Sequence, residues 1–172
     1  IPDSVNSIGN MTFFGCAIKN INIPNSVTII KRGAFWSCPS LTSINIPESV
    51  TSIDSIVLNE CNNLKCVIIN NPDCEISNAK DTIPETAVIY GYKNSTAQTY
   101  AESFNRKFIS LEEIGDISGN GEIDLYDAIE IAKAIMGLRT FTAEEMIIAD
   151  FNKDGTVDLY DAIEIARTLL PK

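Results

Sequence analysis

Residues 116–137 read DISGNGEIDLYDAIEIAKAIMG and residues 150–171 read DFNKDGTVDLYDAIEIARTLLP, so one 22-residue segment is written twice. In both copies oxygen-bearing side chains stand at positions 1, 3, 5, 9 and 12, with glycine at position 6. A loop of that spacing wraps roughly six to eight oxygens around one hard divalent cation, calcium above all. Calcium explains the repeated carboxylates and the glycine. It does not explain why DLYDAIEI is identical in both copies, Leu-Tyr and Ile-Glu-Ile included. Some further recognition constrains that surface.

Loop 1 runs from Asp116 to Asp127 and offers Asp116, Ser118, Asn120, the Glu122 carbonyl, Asp124 and Asp127. Loop 2 runs from Asp150 to Asp161 and offers Asp150, Asn152, Asp154, the Thr156 carbonyl, Asp158 and Asp161. Two bound calcium ions are therefore expected. Gly121 and Gly155 take the sharp turn, and Ile123 and Val157 at position 8 are expected to join the loops by a short antiparallel pairing. Position 12 is Asp in both copies, where helix–loop–helix calcium hands carry Glu. The residues before loop 1, FISLEEIG, form no proper entering helix, so each unit is a loop followed by a helix.

Each helix carries two apolar stripes at helical spacing. Ala128, Ile131 and Ile135, with Ala162, Ile165 and Leu169, suit an internal core. Leu125, Ile129, Ala132 and Met136, with Leu159, Ile163, Ala166 and Leu170, form a second stripe that a module of about 59 residues has little protein to cover. An apolar strip with a charged rim is the expected shape of a binding patch. Between the copies, Thr142 to Glu145 is a capping box that opens a short linker helix, able to return the chain so that the two units are related by a pseudo-twofold axis.

The charge is uneven. Residues 1–113 hold 8 basic and 11 acidic side chains, net −3, and residues 114–172 hold 5 and 12, net −7. With no basic run, nucleic acid is excluded as the expected partner, and no apolar stretch is long enough for a membrane span. The chain contains no histidine, no nucleophile motif and no phosphate loop, so no enzymatic activity is expected.

The N-terminal part repeats at a period of 22–23 residues: IPDSVNSIGNMTFFGCAIKNIN, IPNSVTIIKRGAFWSCPSLTSIN, IPESVTSIDSIVLNECNNLKCVIIN. Each unit ends as L-x-x-I-x-I (Ile18, Ile21, Ile23; Leu41, Ile44, Ile46; Leu64, Val67, Ile69), whose final alternation predicts a short strand with one buried face. One strand per such period is the signature of a leucine-rich-repeat solenoid of parallel strands. Pro2, Pro24 and Pro47 end each strand by removing a backbone donor. Phe14, Phe35 and Leu58 are expected to fill the opposite side of the coil. Cys16, Cys38 and Cys61 fall at the repeat period and read as a buried column; the state of Cys66 and Cys74 is left open. Residues 86–112 read as a cap: a strand at Val88–Tyr90, a turn at Gly91, a helix over Ser95–Asn105 and a last strand at Lys107–Leu111. The outward positions, Lys19, Asn20, Asn22, Thr42, Ser43, Asn45, Lys65, Cys66 and Ile68, show no aromatic stripe or charge block that would name a ligand.

The repeat motif I-P-x-S-V-x-x-I followed by A-F-x-x-C-x-S-L-x-x-I-x-I-P resembles the leucine-rich repeats of bacterial surface-antigen proteins. The twin loop–helix units of residues 114–172 resemble the dockerin module of cellulosome-type assemblies, which docks onto cohesin modules of scaffold proteins. The resemblances imply a multi-domain chain: a leucine-rich-repeat solenoid with a cap over 1–113, then a small all-α dockerin-like pair of EF-hand-type calcium loops over 114–172. They imply a secreted bacterial protein, extracellular or at the cell surface, assembled on a scaffold through a cohesin. By that resemblance, recognition falls on Leu125, Tyr126, Ile129, Ala132, Lys133 and Met136, and on Leu159, Tyr160, Ile163, Ala166, Arg167 and Leu170, with two symmetric binding modes. Leu-Tyr stands where many dockerins carry small hydroxyl residues, which implies a more apolar interface. The alternative is a calcium-sensing protein whose repeats bind a protein or glycan.

Overall fold

The computed structural model describes residues 1–152 and 156–170, and the chain divides into two compact units, Ile1–Ser110 and Leu111–Lys172. In the first unit each repeat makes one coil of a solenoid, and the coils are joined by parallel pairing. One sheet has the order β1 (Ser7–Ile8), β2 (Ile29–Ile30), β4 (Ser52–Ile53), β6 (Glu75–Ile76). The other has the order β3 (Ser43–Ile46), β5 (Cys66–Ile69), β7 (Val88–Gly91), β8 (Phe108–Ser110). The register follows the repeat: Ile44 pairs with Val67, which pairs with Ile89. All three are buried in the core between the sheets.

Sequence periodicity predicts one strand per coil, and the structure has two in the coils that begin at Pro24 and Pro47. The second comes from the S-V-x-S-I part of the motif. Its serine earns its place in the repeat: the hydroxyls of Ser26 and Ser49 donate to the carbonyls of Val5 and Val27 one coil back, at 2.6 and 2.7 Å. A third row of bonds closes the remaining side, with the N–H groups of Met11, Phe13 and Gly15 donating to the carbonyls of Arg32, Ala34 and Trp36. The strand expected at Ile21–Ile23 is not formed, although Ile23 is buried.

The column of cysteines is present. The thiols of Cys38 and Cys61 are buried and donate to the carbonyls of Phe13 and Phe35, each at 3.1 Å. All five cysteines are free. Phe35 and Leu58 fill the coil as expected, but Phe14 does not: it is exposed, and Phe13 stacks on Phe35 at 5.3 Å. Stepping back from Phe35 by the 22 residues of the first repeat lands on Phe13. Cys66 is buried rather than outward-facing, within a central strand of its sheet.

The cap closes the array with α1 (Thr96–Ser103), whose N-cap Ser95 accepts the Gln98 N–H and whose Ala97, Tyr100 and Ala101 cover the last coil. Gly91 is not a turn residue. It is the last residue of β7, paired with Ser110, and a Cβ there would stand 2.9 Å from the Ala97 Cβ. Glycine is required because the helix packs that closely on the strand.

The second unit begins with a 3-10 turn (Leu111–Glu113) and then holds α2 (Leu125–Ile135), α3 (Ala143–Ala149) and α4 (Leu159–Thr168). Its core is small: Ile117, Ala128, Ile131, Ala149, Ala162 and Ile165. The stripes expected for this core stop short, since Ile135 and Leu169 are exposed. Two short helices that pack at their middles leave their last turns to solvent. Ile123 and Val157 pack on this core, and no strand pairing joins them among the described residues. Phe151 lies over Gly115, where φ is +100° and a Cβ would meet the ring at 2.7 Å. The Gly115 N–H donates to the Ile148 carbonyl at 2.8 Å, so the entry to loop 1 is sewn to the end of α3.

Candidate functional site

Loop 1 is organised by its own carboxylates. Asp116 accepts the backbone N–H groups of Asn120 at 3.1 Å and Gly121 at 2.8 Å, and the Ser118 hydroxyl at 3.2 Å. Gly121 sits at φ +88°, the left-handed region that glycine enters without strain. The Asn120 side chain accepts the Glu122 N–H at 2.8 Å and donates to Asp124 at 3.2 Å. Asp124 is the N-cap of α2, accepting the Tyr126 N–H at 2.6 Å, and Asp127 answers by accepting the Asp124 N–H at 2.7 Å. This reciprocal capping box makes positions 9 and 12 both loop residues and helix starters. The second oxygen of Asp127 accepts the Ser118 N–H at 2.8 Å, tying position 12 back to position 3.

Loop 2 repeats the scheme where it is described. Asp158 caps α4 through the Tyr160 N–H at 2.7 Å, and Asp161 accepts the N–H groups of Asp158 at 2.9 Å and Asn152 at 3.1 Å. Asp150 ends α3 as its C-cap. Thr156 is exposed. Asp154, with Gly155, lies outside the described residues.

Asp127 and Asp161 are fully buried, and their bonds are to neutral backbone N–H groups. Burying a carboxylate without a counter-charge is costly, so a cation at each loop fits. The donors are oxygens alone, with no sulfur or imidazole, which suits a hard ion. Among the described residues no three acidic, cysteine or histidine side chains are gathered as a ready cage. Loop 1 spreads its oxygens along the chain and mixes its carboxylates with Ser118, Asn120 and the Glu122 carbonyl. When bound, calcium supplies the positive charge that draws these oxygens together.

The residues expected for recognition lie on the outer side of the two helices. Tyr126 is 70% exposed and Tyr160 66%; Leu125, Met136, Leu159 and Leu170 are exposed too. Ile129 is exposed, while Ala132, Ile163 and Ala166 are half-buried between these flanks. Lys133 pairs with Glu130 at 2.6 Å and Arg167 with Glu164 at 2.5 Å, so each face carries the same charged rim one turn apart.

One participant was not legible in the repeat. Arg139 pairs with Glu130 of α2 and, at 2.5 Å, with Glu145 of α3, and lies over the Phe141 ring at 5.0 Å. Glu130 is held below the ordinary glutamate range by hydrogen bonds from Lys133 and Arg139. Glu145 is held low by the Thr142 N–H first and Arg139 after it. The sequence signal was the unrepeated segment itself, since whatever the two copies do not share serves their linkage.

Residues 1–81 match the family model of the BspA type leucine rich repeat region, in six copies. Residues 114–170 match that of the dockerin type I domain. No curated protein matches the chain. Among solved structures it is similar to a leucine-rich repeat protein from Bacteroides ovatus ATCC 8483, with 25% identity and a TM-score of 0.51 over 62% of this chain and 28% of that one. It is similar also to the pneumococcal vaccine antigen PcpA, with 20% identity and a TM-score of 0.42 over 63% of this chain and 40% of that one. The chain thus spans less than half the length of either structure. A BspA-type leucine-rich-repeat solenoid precedes a helical region that carries a dockerin type I domain. A dockerin is a calcium-binding, cohesin-docking module, and both domain types are typical of extracellular or surface proteins. Among the described residues no helix is long and apolar enough to cross a membrane.

Proposed function

We propose that this chain attaches its leucine-rich repeats to a cohesin on the scaffold protein of a bacterial cellulosome-like complex, outside the cell, through a module that two calcium ions hold in shape. It performs no catalysis. The observation that carries the proposal is the pair of exposed, identical Leu-Tyr steps, Leu125-Tyr126 and Leu159-Tyr160, each at the start of a helix capped by a loop aspartate. A tyrosine brings a rigid apolar body and a polar tip, the profile of an interface anchor. The faces stand on the outside of α2 and α4, so they need no opening of the kind a calcium sensor undergoes, which favours docking over sensing.

Because both copies present the same anchors, a cohesin can engage either face by rotating about the pseudo-twofold axis. Were the two modes wholly equivalent, losing one would cost only about 0.4 kcal/mol, RT ln 2. The test is calorimetry of the full chain against recombinant cohesin modules, with calcium and with chelator. Changing Leu125, Tyr126, Leu159 and Tyr160 to Ala together should abolish binding, while either pair alone leaves it measurable. Binding that survives the fourfold change, or that ignores the chelator, would refute the proposal.

A further inference from the structure

The two copies cease to match where their helices end. The first continues Gly137-Leu138-Arg139; the second continues Pro171-Lys172, which puts Lys172 in register with Leu138. The first ending has a built geometry. The Gly137 N–H donates to the Ala134 carbonyl at 3.0 Å and the Leu138 N–H to the Lys133 carbonyl at 2.8 Å, with Gly137 at φ +72°. This pair of bonds around a left-handed glycine is a Schellman closure, and it fixes where Leu138 stands. The next residue, Arg139, is anchored to Glu130 and Glu145, so the segment is tied on both sides of Leu138.

Leu138 nevertheless turns its side chain to solvent. It is 73% exposed, more than any other large apolar residue described, and it stands two residues after the exposed Met136 that ends the strip of Leu125, Ile129 and Ala132. Nothing within the second unit's core needs it, and its fixed backbone means that little ordering entropy is lost on contact. A rigid apolar group exposed at the end of a helix that carries such a strip is the profile of an affinity determinant. At the matching sequence position the second copy has Lys172, which lies outside the described residues. Resting on the docking proposal above, we propose that Leu138 is a specificity-determining residue: it extends the first face by one apolar contact that the second lacks, so the cohesin surface opposite it is apolar and the first mode is preferred.

The experiment isolates each mode in the full, calcium-saturated chain. Leu159→Ala with Tyr160→Ala leaves the first face alone, and Leu125→Ala with Tyr126→Ala leaves the second. Each is titrated by calorimetry with the tightest binder of a panel of recombinant cohesin modules, with and without Leu138→Ser. Burial of one leucine side chain predicts that Leu138→Ser weakens the first-face chain by about tenfold and leaves the second-face chain unchanged. Leu138→Met should restore most of the loss. An equal effect on both chains, or none on the first, would overturn the assignment of Leu138 while leaving docking intact. A wild-type chain that binds no cohesin of the panel would overturn the docking proposal, and this one with it.

Discussion

Removing calcium should unfold the second unit and spare the first. The apolar core of the second unit has three isoleucines, Ile117, Ile131 and Ile165, with three alanines between them. Full burial of an isoleucine contributes about 1.5–3 kcal/mol, so the three supply roughly 5–9 kcal/mol. Against this stand Asp127 and Asp161, both fully buried. A buried charge left without its partner costs about 3–5 kcal/mol, roughly 6–10 kcal/mol for the two. The two terms are of similar size, so without a cation the core has little left to offset the chain entropy of ordering the loops. The solenoid carries no such debt, because its core is a continuous column from Ile8 to Ala101. Circular dichroism through a chelator titration should show the helical signal fall and calcium restore it. Trp36, the only tryptophan, lies in the first unit, and its fluorescence should not change. A helical signal and melting temperature indifferent to chelator would refute the metal assignment. Loss of Trp36 structure in step with the helices would refute the independence of the two cores.

Three further outcomes are expected. Loop 2 offers four carboxylates (Asp150, Asp154, Asp158, Asp161) against three in loop 1 (Asp116, Asp124, Asp127), and more charge tightens calcium binding; calorimetry should therefore lose its tighter phase in Asp161→Ala and keep it in Asp127→Ala, with the reverse counting against the ranking. Burial pushes the thiols of Cys66 and Cys74 up to about 12, so a thiol reagent at mildly alkaline pH should leave both unmodified until denaturant is added, and rapid native labelling of either would contradict their placement. Glu130 and Glu145 have lowered pKa values in the fold, so the stability they give through Arg139 is present above the ordinary glutamate range and is lost as pH falls through their folded values. The melting difference between wild type and Arg139→Gln in calcium should accordingly be largest near neutrality and narrow in acid, and a difference independent of pH would show that Arg139 acts by packing alone.

Local chemistry made most of the site readable before any coordinates. A calcium loop is contiguous, so Asp116, Asn120, Asp124 and Asp127 announce themselves as candidate ligands by spacing, whereas the capping boxes at Asp124 and Asp158 came from the structure. The exposed Leu-Tyr strip proposed for recognition was readable because it is written twice. Harder to see were features that depend on which residue meets which across the chain. Phe13 rather than Phe14 faces the core, since one position of register decides inside from outside in a tight coil. Ile135 and Leu169 have the periodicity of core residues and stand in solvent, because periodicity states which face a side chain shares and not how far the neighbouring helix extends.

What the sequence determined by itself is what repetition and short-range stereochemistry can encode: a solenoid followed by two loop–helix units, the helix starts and the identical Leu-Tyr steps. Tertiary structure decided the rest. It added a second sheet built from two-residue strands too short to leave a hydropathy pattern, and it made Gly91 a packing residue because α1 lies against β7. It brought Arg139 between Glu130 and Glu145, acids nine residues before it and six after it. It also left Leu138 standing in solvent just past the end of α2. Each of these depends on a distance between segments, and a distance between segments is set only when the chain has packed.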